Sequence, residues 1–146
     1  MNTTRRQILS FAGAALAALT AGLAGFLPVR VARASDNGAS RAVAAFTGGA
    51  APVEGGVRIE APEIADNGGS VPIRVSAEDA RRIAVFNDGN PYPGVAVFSF
   101  GKGVKPTAST RIRLAKSQKL IAVAEMDDGT FRMTSRPIIV TVGGCG

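Results

Sequence analysis

The segment KLIAVAEMDDGT, residues 119–130, decides the fold class of this chain. Its first eight residues are almost continuously apolar, and so short an apolar run between turn signals predicts a β-strand at 119–126. Asp127, Asp128 and Gly129 then supply a tight hairpin turn. Residues 130–142 return as the last strand, with a bulge or a sheet edge expected at Pro137, which lacks a backbone N–H.

Five upstream segments have the same short, turn-bounded character. Most of them alternate apolar and polar residues, and glycine, proline or asparagine separates each from the next, which is typical of half-buried strands. The predicted strands are Val57–Glu60, Val71–Val75, Arg82–Phe86, Val95–Phe100 and Ser109–Leu114. About seven strands at this spacing predict an all-β fold, namely an immunoglobulin-like antiparallel β-sandwich.

Four local features of this sandwich can be predicted from the pattern. Val95–Phe100 is apolar on both faces, so a central strand covered on both sides is expected. Pro72 favours a sheet edge or the start of a strand. Ile64 is expected to point inward. Before the first strand, Ser40–Phe46 predicts one short helical turn, which the following glycines and proline end.

The amino-terminal segment has the pattern of an export signal. Arg5 and Arg6 precede an uncharged stretch, residues 7–29, that is rich in Ala, Gly and Leu. Ala32 and Ala34 form the small-x-small pattern of a signal peptidase site. The paired arginines indicate the twin-arginine route, which exports folded proteins to the bacterial periplasm.

Cleavage after Ala34 changes how the charge of the chain should be interpreted. It removes four of the 17 basic residues and none of the 11 acidic ones, so the formal charge falls from +6 to +2. A nearly balanced exported protein is a poor candidate for binding nucleic acid. The alternative is a retained transmembrane anchor at residues 8–27, but its glycines and threonine dilute its hydrophobicity. No stable membrane anchor is expected after cleavage.

The composition argues against self-contained catalysis. The chain has no histidine and one cysteine, so it lacks the usual general base and cannot form an internal disulfide or a cysteine zinc cluster. No phosphate-binding loop, dinucleotide fingerprint or catalytic triad is present. Asp127 and Asp128 fit a hairpin better than a metal site. We expect a protein that is not an enzyme and has no cofactor.

The one cysteine, Cys145, lies next to the carboxyl terminus in the segment Gly143-Gly144-Cys145-Gly146. Glycines permit conformations closed to other residues, so the segment is suited to present a thiol to another protein's active site. An incidental cysteine in a frayed tail is the simpler alternative. A further alternative is an exported structural or adaptor domain that forms an intermolecular disulfide through Cys145.

Six basic residues recur near the end of the chain and allow two interpretations. A solvated sheet face would explain them, and so would a docking surface for an anionic substrate or an acidic partner. The six residues are Arg111, Arg113, Lys116, Lys119, Arg132 and Arg136.

Four internal segments and the tail together resemble one family. They are APEIADNG (61–68), Asn90-Pro91, STRIRLAKSQ (109–118) and VAEMDDG (123–129), followed by the tail (143–146). On these residues, the chain resembles SoxY, the sulfur-carrier subunit of the bacterial thiosulfate-oxidising system. The resemblance covers nearly the whole mature chain.

The resemblance implies a fold, a role and a set of partners. It implies an immunoglobulin-like sandwich that pairs with a SoxZ subunit as a heterodimer, and Cys145 as the attachment site for sulfur, with Gly143, Gly144 and Gly146 as arm glycines. A haem enzyme would conjugate thiosulfate to Cys145, a metal-dependent hydrolase would release sulfate, and a sulfur dehydrogenase would oxidise the remaining sulfur where one exists. This tail has one glycine after the cysteine where the family has two.

Together these observations predict four parts of the chain. They are a signal peptide (1–34), a lead-in with the helical turn (35–56), the β-sandwich (57–142) and the carrier arm (143–146).

Overall fold

The computed structural model describes residues 38–141. The signal motif at Arg5 and Arg6, its cleavage site and the arm with Cys145 lie outside the described residues, so they stay predictions. Within the described part, one helix precedes nine strands, which confirms the all-β class. No helix in residues 38–141 has the length and apolar character needed to cross a membrane.

Seven of the nine strands have four or more residues and match the seven strands predicted from the sequence. The helix α1 is Gly38–Thr47, and the strands are β1 (Val53–Glu54), β2 (Val57–Glu60), β3 (Ile64–Ala65), β4 (Val71–Ala77), β5 (Ala80–Asn87), β6 (Gly94–Ser99), β7 (Thr107–Ile112), β8 (Gln118–Met126) and β9 (Phe131–Val140). The two-residue strands β1 and β3 were not predicted, because two residues are too few to show a period.

The strands form two sheets. The larger sheet has the order β1-β9-β8-β5-β6, with β3 also paired to β9, and the smaller sheet has the order β2-β4-β7. The short strands β1 and β3 run parallel to β9, whereas the other described pairs are antiparallel. The structure therefore confirms the predicted antiparallel β-sandwich.

The main core lies between these sheets, because each sheet turns every second residue toward the other. Strand β4 buries alternate apolar residues while Pro72 and Arg74 face solvent, as period-two alternation requires. The largest fully buried side chains of this core are Ile83, Leu120, Ile138, Val71, Val75 and Val85.

Helix α1 covers part of the outer face of the larger sheet. The Phe46 ring meets the rings of Phe86 and Phe131 edge to face, with centroids 6.2 and 6.0 Å apart, an arrangement that aromatic quadrupoles favour. Ala84 and Val123 are buried in the same second apolar cluster. The helix has ten residues and is longer than the single turn expected, because its apolar side gains a sheet to pack against.

A buried carboxylate, Glu125, links β8 to β5 beneath this helix. Arg82 Nε donates to Glu125 Oε2 at 2.6 Å, and the Arg81 guanidinium lies 2.6 Å from Oε1. Burial opposes ionisation of Glu125, but the hydrogen bonds and charges of Arg82 and Arg81 outweigh it and hold the pKa below its ordinary value. Arg82 also lies 5.0 Å from the Phe46 ring centroid, a cation–π contact that joins the helix to this ion pair.

The predicted hairpin turn between β8 and β9 is confirmed. Gly129 has a φ of 82°, which glycine adopts readily, and its N–H donates to the Met126 carbonyl at 3.0 Å. The Asp128 carboxylate accepts hydrogen bonds from the Thr130 hydroxyl and N–H at 2.6 and 2.8 Å. These bonds lower the pKa of Asp128.

The two strand prolines occupy positions where no N–H is needed. Ile139 N–H donates to the Glu63 carbonyl, and alternate residues of a strand point to the same side. Pro137 therefore faces the gap that β1 and β3 leave along β9, and the ladder with β8 runs past it without a shift. Of the two alternatives predicted for Pro137, an edge position is therefore correct and a bulge is wrong. Pro72 is the second residue of β4, beyond the end of β2.

Two predictions about burial are wrong. Strand β6 ends the sheet order and is an edge strand, not a central one, and Val97 is 56% exposed. Its continuous apolar pattern therefore does not reflect burial on both sides within this chain. Ile64 is 56% exposed whereas Ala65 is buried, because β3 pairs with β9 in the register that turns the alanine inward.

Candidate functional site: the base of the carboxyl-terminal arm

Strand β9 leads directly to the predicted carrier arm. It ends at Val140, and Thr141 is the last described residue. Cys145 and its neighbours Gly143, Gly144 and Gly146 lie outside the described residues. The structure therefore describes the surface from which the arm leaves the domain. We call this surface the arm base and define it as Thr141 together with the residues that hold the end of β9.

Ser117 fastens the end of β9 to the turn before β8. Its hydroxyl oxygen accepts the Val140 N–H at 2.9 Å and lies 3.4 Å from the Val140 carbonyl oxygen, to which it donates. One side chain thus satisfies both backbone groups of Val140, where the strand ladder with β8 has ended. The arm begins from a fixed position as a result.

Strand β3 fastens the same end from the other side. Ile139 N–H donates to the Glu63 carbonyl at 2.9 Å, and Thr141 N–H donates to the Ala65 carbonyl at 3.0 Å. The Thr141 hydroxyl lies 3.4 Å from both the Ala65 carbonyl oxygen and the Asp66 carboxylate. Backbone bonds therefore hold the chain to within one residue of the segment that the structure does not describe.

Gly68 allows the loop after β3 to pass closely under this end. A Cβ at this position would overlap the Leu114 carbonyl oxygen and lie 2.9 Å from Val140 Cγ1. The Leu114 N–H donates to the Gly68 carbonyl at 2.8 Å. The absence of a side chain is therefore required by the packing of backbone against backbone.

A network of amide side chains holds the neighbouring loops. The Asn90 Oδ1 accepts from Gln118 Nε2 at 2.7 Å and from Ala115 N–H at 3.0 Å, while its Nδ2 donates to the Arg113 carbonyl at 2.8 Å. Gln118 Oε1 accepts the Gly89 N–H at 2.8 Å. Asn90 and Gln118 thus tie the loop before β6 to the turn between β7 and β8.

The six basic residues do not form one surface. Arg113, Lys116 and Lys119 are exposed near the arm base, and Arg111 is exposed on the smaller sheet. Arg132 lies at the opposite end of β9, beside the hairpin turn, and Arg136 pairs with Glu63 at 3.6 Å. Arg111 lies in β7, whereas Arg132 and Arg136 lie in β9, and these two strands belong to different sheets.

Two isoleucines form an exposed apolar pair beside the arm base. Ile64 and Ile139 are register partners in β3 and β9, and they are 56% and 54% exposed. A shallow groove adjoins Ile139, between the turn at Lys116–Lys119 and the end of β9. Ile64 and Ile139 therefore place exposed apolar surface directly beside the arm base.

The length of the arm limits where a partner can act. Cys145 is the fourth residue after Thr141, and four extended residues span about 14 Å. An active site that reaches the Cys145 thiol must therefore come close to the arm base.

Residues 38–141 contain no group of three His, Cys, Asp or Glu side chains arranged to hold a metal ion.

Three of the segments that carry the family resemblance meet at the arm base. APEIADNG supplies β3 and Gly68, Asn90 organises the amide network, and the end of STRIRLAKSQ supplies Ser117 and Gln118. VAEMDDG lies in the second half of β8 and in the hairpin that follows it, away from the end of β9. The roles of Ser117 and Gly68 were missed, since a lone serine or glycine gives no periodic signal.

Comparison with known proteins agrees with this geometry. The family model described as sulfur oxidation protein SoxY matches residues 43–145, a range that ends at Cys145. The solved structure of the sulfur carrier protein SoxY from Chlorobium limicola f thiosulfatophilum is 36% identical, with a TM-score of 0.62, and the match covers 70% of this chain and 96% of that one. Among curated proteins, none matches.

Two superoxide reductases share the fold at lower identity. The neelaredoxin from Ignicoccus hospitalis is 21% identical with a TM-score of 0.54, over 60% of this chain and 81% of that one. A putative superoxide reductase from Thermotoga maritima is 24% identical with a TM-score of 0.52, over 66% and 91%. These two likenesses concern the fold alone, whereas the family match and the 36% identity decide the family. The chain belongs to the SoxY family of sulfur oxidation proteins.

Proposed function

We propose that this protein carries sulfur intermediates covalently on the thiol of Cys145 and presents them to separate enzymes during thiosulfate oxidation. The family membership supports a sulfur-carrier role, and the matched range includes Cys145. The observation that carries the proposal is the arm base. The chain is fastened from both sides up to Thr141, and the glycine-flanked cysteine follows within four residues.

The proposed cycle needs one sulfur nucleophile from this chain and leaves the remaining chemistry to other proteins. The Cys145 sulfur and the terminal sulfur of thiosulfate form a disulfide bond, the thiol proton passes to solvent and two electrons pass to a haem enzyme. Water then releases sulfate in the site of a metal-dependent hydrolase, and Cys145 retains a persulfide. A sulfur dehydrogenase oxidises that sulfur in systems that possess one.

The same proposal includes the location and the stable partner. The twin-arginine pattern at Arg5 and Arg6 and the cleavage pattern at Ala32 and Ala34 support export to the periplasm. A heterodimer with a SoxZ subunit is what membership of the family implies. Export in the folded state would allow the two subunits to assemble before they cross the membrane.

The test follows the adduct on Cys145. Protein isolated from thiosulfate-grown cells is expected to carry thiosulfonate or polysulfide groups that mass spectrometry assigns to Cys145, and a Cys145→Ser strain is expected to lose thiosulfate oxidation. Because the chain has no other cysteine, any thiol adduct in the wild type reports on this position. Normal oxidation by the Cys145→Ser strain would contradict the proposal.

A non-reducing gel separates the carrier from the adaptor alternative. A carrier is expected to run as the uncrosslinked chain in cells that oxidise thiosulfate, because its thiol must be free for each cycle. A permanent disulfide dimer under these conditions would support the adaptor instead.

A further inference from the structure

The edge of the larger sheet at β6 lacks the protection that the other described edges have. Strand β2 carries Arg58 and Glu60, β7 carries Arg111, and β1 and β3 have two residues each. Charges and short length are the usual devices that prevent edges from pairing with other chains. Residues 94–100 contain neither a charge nor a proline.

The backbone of this edge offers unpaired hydrogen-bonding groups. Phe100 N–H donates to the Arg81 carbonyl, so by alternation Phe98 also faces β5, while Val97 and Ser99 turn their N–H and C=O groups away from it. Within residues 38–141 no strand pairs with that side. The register shift in the β5–β6 pair falls between Val85 and Phe86, at the start of β6, so residues 96–99 stay regular.

Exposed apolar side chains occur on β6 and in the loops before and after it. Val97 is 56% exposed, and the loops on either side of β6 expose Tyr92 and Val104 by 85% and 57%. These are three of the six large apolar side chains that the described residues expose. An apolar strip with unpaired backbone groups is the surface that another β-strand recognises.

We infer that β6 is the edge to which the second subunit of the complex adds a β-strand. This inference rests on the heterodimer in the function proposed above. An unprotected apolar edge needs a permanent occupant, because exposure invites aggregation. The enzymes that act on Cys145 must approach the arm base instead. Strand β6 lies three strands away from β9, or about 14 Å at 4.8 Å per strand, so a subunit bound there leaves the arm accessible.

Two variants of the edge test the inference in the co-expressed complex. Val97→Asp places a charge in the strip, and Ser99→Pro removes an N–H that faces away from β5, a change that edge positions tolerate. On dilution of the purified complex, the concentration of half-dissociation is expected to rise by about tenfold or more for each. In the wild-type complex, the amides of Val97 and Ser99 are expected to exchange hydrogen more slowly than that of the exposed loop residue Lys102.

Matched controls separate the edge from general destabilisation. Val53→Asp changes the same residue type at 55% exposure on the opposite edge, and Ser99→Thr retains the N–H. Both are expected to dissociate like the wild type. Wild-type dissociation of both test variants, or fast exchange of both amides, would overturn the inference. The inference would also be overturned if the variants abolished only the self-association of this chain, because a second copy of the chain would then be the partner that binds β6.

The outcome for the edge is independent of the outcome for the carrier. Adduct formation on Cys145 is measured in the same preparations. If Val97→Asp weakens the complex while wild-type Cys145 takes up no adduct, the edge inference holds and the carrier proposal fails. If Cys145 is loaded while both variants assemble normally, the carrier proposal holds and the edge inference fails.

Discussion

Gly68 provides a sharp test of the packing at the arm base. In Gly68→Ala, the new methyl group would overlap the Leu114 carbonyl oxygen and approach Val140 Cγ1 to 2.9 Å, below the 3.0 Å limit that Cβ atoms observe. Because the first of these neighbours is backbone, a rotamer change cannot relieve the overlap. Either the loop after β3 or the end of β7 has to move.

The expected cost combines two effects. Overpacking by a methyl group costs about 1–3 kcal/mol, and displacing the Leu114 N–H from the Gly68 carbonyl costs about 1 kcal/mol more. We therefore expect the free energy of unfolding to fall by about 3 kcal/mol, which lowers the melting temperature by about 10–20 °C in a domain of this size.

The assay is urea and thermal unfolding followed by circular dichroism, with Gly101→Ala as the control. A Cβ at Gly101 would have its nearest neighbour at 4.0 Å, so its effect is expected to stay within about 0.5 kcal/mol. If Gly68→Ala unfolds within about 0.5 kcal/mol of this control, the close approach of the two backbones is not needed for stability and the reasoning is refuted.

Two further predictions concern Ser117, which holds the end of β9, and Glu125 in β8. Ser117→Ala is expected to lower the free energy of unfolding by about 1 kcal/mol, because Val140 N–H loses its acceptor. If urea denaturation gives no larger loss than for Ser135→Ala, which changes an exposed serine of β9, this prediction is contradicted. Glu125→Gln is expected to cost about 1–2 kcal/mol at neutral pH, a modest value because Arg81 and Arg82 are 51% and 43% exposed. The folded-state pKa of Glu125 lies below its ordinary value of 4.5, so the difference from wild type is expected to be complete above about pH 5 and to shrink as the pH falls below it. If denaturation at several pH values above and below about pH 5 gave the same difference between Glu125→Gln and wild type, the stabilising role of the ionised Glu125 would be refuted.

The strands could be predicted from the sequence because their signals are local. Period-two alternation, or a short apolar run between turn residues, located the seven longer strands, and Gly129 after two aspartates located the hairpin. What could not be predicted was the assignment of strands to sheets. Arg111 and Arg132 are close to the same tail in sequence, yet they belong to β7 and β9 in different sheets, and no local pattern encodes that separation.

The errors have physical reasons of the same kind. The apolar pattern of β6 shows how hydrophobic the strand is, but it does not show what packs against it. The strand was therefore expected to be central, although it is an edge strand. For Ile64, the register of a two-residue strand depends on its pairing with Ile139. The hydrogen bonds of Ser117 to Val140 and the close packing at Gly68 join segments that are distant in sequence. They therefore could not be predicted before the fold was known.

The pairing of β9 determines how the protein bears a mechanical load. Eight residue pairs join β9 to β8 in antiparallel register, and the arm continues from the end of β9. A partner that draws Cys145 into its site, in line with the strand, pulls perpendicular to these hydrogen bonds. The load is then shared as shear by the whole ladder and is not concentrated on one bond at a time, as it would be if the strand were peeled from its end. If Cys145 carries sulfur as proposed above, β9 can stay in place while a partner pulls on the arm.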